Sequence, residues 1–99
     1  MDLSSLPEAF ESRIRVAVLA ILSKDQSKSF SDLKAITGAA DGNLSVHLRR
    51  LEEAGYITIQ KRFANLRPQT IYTITERGKN EFREYIDFLG KLIAEDEKS

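Results

Sequence analysis

The chain has 99 residues, with 15 basic and 15 acidic side chains and no cysteine. That length supports a single domain, 1–99, whose core holds without staples, and the absence of cysteine excludes disulfides, thiolate metal sites and cysteine nucleophiles. No apolar run approaches the roughly 20 residues of a membrane span, and Met1–Pro7 has neither a basic region nor a cleavage pattern, so a cytoplasmic chain without signal peptide or membrane partner is expected.

The zero net charge hides an asymmetry. Residues 43–80 carry Arg49, Arg50, Lys61, Arg62, Arg67, Arg77 and Lys79 against Glu52, Glu53 and Glu76, a balance of +4. Residues 81–99 carry three basic groups against six acids, a balance of −3. Segregated charge implies one surface for an anionic partner and another for something else.

In chain order, Ser5-Leu6-Pro7-Glu8 reads as a helix start, with Ser5 as cap, Glu8 completing a capping box and Pro7 in the first turn. This first helix is expected over about 5–23. Its stretch Ile14–Leu22 is apolar nearly all round and is broken only by Arg15, so it is buried on most sides. Lys24–Ser29 reads as a polar loop and Phe30 as a short apolar anchor. Ser31 caps a second helix, Asp32–Thr37, with Leu33 and Ile36 inward and Gly38 at its end. Asp41 caps a third helix over 42–54, with Gly55 as its stop. Leu44, Leu48 and Leu51 form the buried stripe, and Gly42, Val46, Arg49 and Glu53 lie opposite, flanked by Asn43, Ser45 and Arg50.

A strand follows, Tyr56–Phe63, then a turn, Ala64–Pro68, and a return strand, Gln69–Ile74, rich in Thr, Ile and Tyr. Thr75 caps a final helix, with Glu76 favourable in its first turn. This helix is expected over about 76–94, with a charged, frayed tail at Glu95–Ser99. Phe82, Tyr85, Ile86, Leu89, Leu92 and Ile93 line a broad stripe on it, with Phe88 to one side. The order predicts an α+β, mainly α fold. It is a winged helix-turn-helix with a two-stranded wing and a long C-terminal dimerisation helix.

Helix 42–54 is the candidate DNA reader, because an α-helix fits the major groove with its N-terminal residues at the base edges. Asn43 suits adenine, Ser45 a base or phosphate, Val46 a thymine methyl, and Arg49 and Arg50 guanine or phosphate. Gly42 would let the backbone approach a phosphate. Ser31, at the start of the second helix, joins this set. The basic wing, 61–69, supplies Lys61, Arg62 and Arg67 for the backbone, with Arg67 toward the minor groove. The plainer alternative for these three is protection of an exposed sheet edge. Phe10, Ile14 and Val18 on the first helix, with Phe82, Tyr85, Ile86, Leu89, Leu92 and Ile93 on the last, make a homodimer interface between the terminal helices the expectation.

His47 flanks the buried stripe and reads as a packed or hydrogen-bonded structural histidine. Tyr56 and Tyr72 read as packing residues. One histidine without cysteine makes a poor metal site. No phosphate loop, nucleophile–base pair or distinct carboxylate pair points to an enzyme or a cofactor.

Phe30-Ser31-Asp32-Leu33, the run Asp41-Gly42-Asn43-Leu44-Ser45-Val46-His47-Leu48-Arg49-Arg50-Leu51-Glu52-Glu53-Ala54-Gly55-Tyr56-Ile57, and Tyr72-Thr73-Ile74-Thr75-Glu76-Arg77-Gly78 resemble the MarR/ArsR-like winged-helix transcriptional regulators, nearest their small single-domain group, over residues 8–93. The resemblance implies a dimeric prokaryotic regulator on a near-palindromic double-stranded operator, with residues matching Gly42, Asn43, Ser45, Val46, Arg49 and Arg50 facing DNA and basic wing residues on the backbone. The thiolate ligands of the metal-sensing branch are missing here. A small-molecule effector is left open. The alternative is a winged-helix protein–protein interaction module that binds no DNA.

Overall fold

The computed structural model describes residues 5–98. A 3-10 turn, Glu8–Glu11, leads into helix α1, Arg13–Asp25, strand β1, Ser27–Ser29, and helix α2, Phe30–Thr37. Helix α3, Asp41–Glu53, strands β2, Ile57–Ala64, and β3, Arg67–Ile74, and helix α4, Glu76–Lys98, complete the chain. The expected fold is present, with one added strand.

The N-terminal start differs from expectation. Ser5 does not open a long helix. Pro7 precedes the 3-10 turn, Ser12 is extended (φ −126°, ψ 128°), and the Ser12 hydroxyl accepts from the Arg15 N–H. The chain therefore bends before α1, which lays Phe10 back on the core. Phe10 stacks 4.6 Å from Tyr85 and 6.0 Å from Tyr56.

Lys24–Ser29 is not merely a loop. Ser27, Lys28 and Ser29 pair antiparallel with Thr73, Tyr72 and Ile71, so the sheet has three strands in the order β1-β3-β2. Alternating Ser and Lys give little apolar periodicity, which is why this strand is silent in the sequence. The α2 cap is also Ser29 rather than Ser31: its Oγ accepts from the Asp32 N–H at 3.1 Å. Of the two residues expected inward, Leu33 is fully buried, but Ile36 is 56 % exposed.

Asp41 is the first residue of α3, not its cap, a position held by Ala40. Its carboxylate instead pairs with Lys34 at 2.6 Å. At the other end the Gly55 N–H donates to the Glu52 carbonyl and the Tyr56 N–H to the Leu51 carbonyl. With Gly55 at φ 82° this is a Schellman ending, which needs glycine at that position.

Thr75 joins this turn to α4. Its hydroxyl donates to the Gly55 carbonyl at 2.7 Å and accepts from the Gly78 N–H at 3.0 Å. Gly78 lies so close to the turn that a Cβ there would fall 2.3 Å from the Tyr56 carbonyl oxygen. The Thr-Glu-Arg-Gly run therefore has a packing reason: a cap at its first residue and a close backbone approach at its last.

Val18, Leu19 and Leu22 of α1, Leu33 of α2, and Leu44, Leu48 and Leu51 of α3 meet Tyr56, Ile57, Tyr72 and Ile74 of the sheet and Phe82 of α4 in one core. Helix α4 runs on to Lys98, beyond the expected end at Ala94, a length of about 34 Å. The expected tail thus continues the helix, and residues 1–4 and 99 lie outside the described residues.

Candidate nucleic-acid interface

Helix α3 divides as its spacing predicts. Leu44, Leu48 and Leu51 are fully buried, while Gly42, Asn43, Ser45, Val46, Arg49 and Arg50 are exposed. Val46 is 53 % exposed in the middle of this polar face. A Cβ built at Gly42 would meet nothing, so the space over the first turn of α3 is open. Ser31 is exposed on the first turn of α2.

The two arginines of α3 have different surroundings. Arg50 lies 3.6 Å from the Glu8 carboxylate, which turns it toward the N-terminal segment. Among the described residues no acid pairs with Arg49, Lys61, Arg62 or Arg67. These four cations are available to an anionic partner.

His47 takes the structural role expected of it, and the partner explains the arginine that interrupts the apolar α1. Arg15 is only 6 % exposed. Its Nε and Nη2 donate to the carbonyls of Ala9 and Glu8, each at 3.0 Å, and its Nη1 lies 3.0 Å from His47 Nδ1. With a guanidinium as donor, Nδ1 must be the acceptor. Burial, then the charges of Arg15 and Arg50, hold the imidazole pKa below its ordinary 6.5. One buried arginine thus ties the N-terminal turn, α1 and the reading helix together. The unbroken apolar neighbours of Arg15 conceal this role in the sequence.

The wing is a two-stranded ribbon that outruns β1. Ile57 pairs with Ile74 at its base and Ala64 with Arg67 at its end. Asn65 and Leu66 form the turn at φ 54° and 65°, the left-handed pair that a type I′ hairpin demands. Leucine there costs about 1–2 kcal/mol relative to a right-handed position. The turn is therefore two residues long, not Ala64–Pro68, and Pro68 sits within β3 opposite Phe63.

This register separates the wing cations. Strand alternation puts Lys61 on the face shared with Ile57, Ile59 and Phe63, and Arg62 on the opposite face beside its partner Gln69. Arg67, paired with Ala64, shares the face of Arg62. The three are not one patch; they stand on both sides of the ribbon. At its end Phe63 is 76 % exposed and Leu66 96 %. Sequence reasoning missed both. The available signal was a leucine in a turn otherwise built of turn formers and basic residues.

The expected dimer set also divides. Phe10, Val18 and Phe82 are buried in the protomer's own core and are not free to form an interface, while Ile14 is half-buried and packs partly against that core. Phe88, placed to one side in the sequence reading, is buried as well. Ile86, Leu89, Leu92 and Ile93 are exposed on α4 where it passes the body, with Tyr85 half-buried beside them.

Among the described residues no helix is long and apolar enough to cross a membrane, and no group of three or more His, Asp or Glu side chains is placed to hold a metal.

A helix-turn-helix with an exposed polar reading face, followed by a basic two-stranded wing, defines the class of winged-helix DNA-binding proteins. Residues 14–93 match the winged helix DNA-binding domain family, and the chain belongs to that family. It is 39 % identical over 77 residues to an uncharacterised protein of Methanocaldococcus jannaschii, covering 78 % of this chain and 84 % of that one. The structure is similar to that of a transcriptional regulator homologue from Pyrococcus horikoshii, with a TM-score of 0.77 at 28 % identity, over 88 % of this chain and 91 % of the other. The fold also matches Bordetella bronchiseptica BpsR, a protein whose DNA binding is regulated by 6-hydroxynicotinic acid, with a TM-score of 0.73 at 17 % identity, over 94 % and 70 % of the two chains. The resemblance to MarR/ArsR-like winged-helix regulators therefore holds at the level of family and fold.

Proposed function

We propose that this protein is a homodimeric, sequence-specific transcriptional regulator acting on double-stranded DNA in a prokaryotic cytoplasm. The observation that carries the reading is the division of α3. Its leucines are spent in the core while Asn43, Ser45, Val46 and Arg49 stand open to solvent with no protein element over them.

In this reading α3 enters the major groove. Asn43 and Ser45, near its N-terminal end, reach base edges, Val46 meets a thymine methyl, and Arg49 takes guanine or phosphate. Gly42 and Ser31 sit against the backbone, and Arg50 joins them by giving up Glu8. Lys61, Arg62 and Arg67 bind phosphates flanking the site.

Two copies would pair through Tyr85, Ile86, Leu89, Leu92 and Ile93 of α4. The acidic surplus of residues 81–99 keeps that end away from DNA. A twofold dimer places its half-sites about 34–36 Å apart and calls for a near-palindromic operator. Likeness to the Pyrococcus horikoshii regulator homologue supports the regulatory role.

The test is selection of genomic fragments with the purified protein, followed by titration of the recovered duplex and of mixed-sequence duplex against salt. Recovery of a near-palindromic site, with weak salt-dependent binding to mixed sequence, is expected. Failure to bind any duplex at low salt overturns the reading and leaves a protein-interaction module.

A further inference from the structure

Arg15 is a buried cation without a counter-ion. It is 6 % exposed, and its partners, the Ala9 and Glu8 carbonyls and His47 Nδ1, are all neutral. Among the described residues it forms no ion pair. Those bonds use one N–H each of Nε, Nη1 and Nη2, so a further N–H on Nη1 and another on Nη2 have no partner among these residues. Buried charges are normally paired, and an unpaired guanidinium in the interior is costly. Ties to two carbonyls and an imidazole do not require that charge.

Arg15 forms part of the wall of a cleft of about 170 Å³ between the N-terminal turn and the C-terminal end of α3, together with Glu8, Ala9, Arg50, Glu53 and Ala54. Arg50 adds a second guanidinium, held 3.6 Å from the exposed Glu8 carboxylate. The positive field of the two reaches His47, whose pKa is lowered by burial and then by the charges of Arg15 and Arg50. The walls are not uniformly cationic. Glu53 brings a second carboxylate, without an ion-pair partner among the described residues, and α3 presents its negative dipole end here. A plain anion meets the guanidiniums but is repelled by the acids, and a plain cation meets the reverse. A molecule that carries both charges a short distance apart satisfies both. The remaining walls are the methyl groups of Ala9 and Ala54, and the volume holds about six water-sized groups, the size of a small amino acid.

We propose that this cleft binds a free α-amino acid with a small side chain, its carboxylate on Arg15 and Arg50 and its ammonium group between Glu8 and Glu53. Arg50 then leaves Glu8 for the ligand. One consequence rests on the DNA-binding reading above: an Arg50 held by the ligand is withheld from phosphate, so the occupied protein binds duplex more weakly.

The experiment is calorimetric titration of the full chain with L-alanine and glycine, which are expected to bind saturably. Propionate lacks the ammonium group and ethylamine lacks the carboxylate. Each is expected to bind about tenfold more weakly than L-alanine, the loss of one charged hydrogen-bonding partner. Arg50→Gln and Glu53→Gln change exposed side chains and leave the core intact. Arg50→Gln is expected to weaken L-alanine and propionate alike, and Glu53→Gln to weaken L-alanine but not propionate. Amide NMR shifts caused by L-alanine should fall on Glu8, Ala9 and the segment from Arg50 to Ala54. Duplex titrations with L-alanine present should show lower affinity and a salt slope smaller by about 1, the loss of one phosphate contact. Propionate binding as tightly as L-alanine would overturn the amino-acid assignment. No saturable binding of L-alanine or glycine, or shifts confined to other segments, would overturn the site. L-alanine bound with duplex affinity unchanged would overturn the consequence for DNA alone. Wild type binding L-alanine but no duplex would overturn the DNA reading and leave the site standing.

Discussion

Arg15 Nη1 lies 3.0 Å from His47 Nδ1, joining a buried cation on α1 to the edge of the reading helix. The bond exists only while the imidazole is neutral. The folded state holds the His47 pKa below the 6.5 of the unfolded chain, so below that pH the unfolded state binds more protons. This contribution to stability is complete above pH 6.5 and is lost as the pH falls from 6.5 through the folded value. Urea midpoints measured across pH 5 to 8 (the range in which histidine titrates) should fall on the acid side. His47→Asn, whose side-chain oxygen replaces Nδ1 as acceptor, should flatten this part of the profile.

Arg15 itself satisfies the Ala9 and Glu8 carbonyls. Arg15→Met fills similar space and makes none of these bonds. Equilibrium unfolding is expected to show a loss of about 1–3 kcal/mol, and Phe10, released with the turn, should exchange its tight ring environment for a mobile one in NMR spectra.

Gly78 packs against the Tyr56 carbonyl with no room for a methyl group. Gly78→Ala must shift α4 relative to the turn after α3. Overpacking of this kind costs typically about 1–3 kcal/mol, and backbone is the obstacle here, so the upper end is expected in urea unfolding. Thr75→Ala, which removes the cap of α4 and its bond to Gly55, should cost about 1 kcal/mol in the same assay.

Arg49 and Arg67 should differ in kind when changed to alanine. Loss of Arg49 from a base edge costs about 1–3 kcal/mol and relaxes preference at one operator position. Loss of Arg67 from a phosphate weakens all sequences alike and lowers the salt slope by about 1. Binding isotherms on the selected fragment and on its point variants, taken at several salt concentrations, decide both.

The apolar end of α4 should govern assembly without governing the fold. Leu92 and Ile93 are exposed in the single chain, so Leu92→Glu with Ile93→Glu leaves the core intact. Sedimentation should show a monomer with an unchanged far-UV spectrum, and DNA affinity should fall because only one half-site is held. A dimer that persists in this variant excludes α4 as its seat.

The reading helix was legible because its leucine stripe has helical period and its end has a glycine where only a left-handed residue fits. Gly38 and the paired runs of the wing were legible for the same local reasons. Strand β1 was not, because Ser-Lys-Ser has no pattern and pairs only when β3 arrives from residues more than 40 positions later. The break at Ser12 was hidden because Ser5-Leu6-Pro7-Glu8 satisfies every local rule for a helix start. Ile36 looked inward by spacing, but α2 is too short for spacing to fix which side is covered.

By itself the sequence determined the order of elements, the split of α3 into an apolar and a polar side, and the concentration of cations around the wing, since each follows from neighbours within a few residues. Only the tertiary structure decided which apolar groups the body consumes, that Arg15 grips His47, that Arg50 turns to Glu8, and that the wing cations stand on opposite faces. Those are contacts between distant segments, and register and close packing, which no local periodicity encodes, set them.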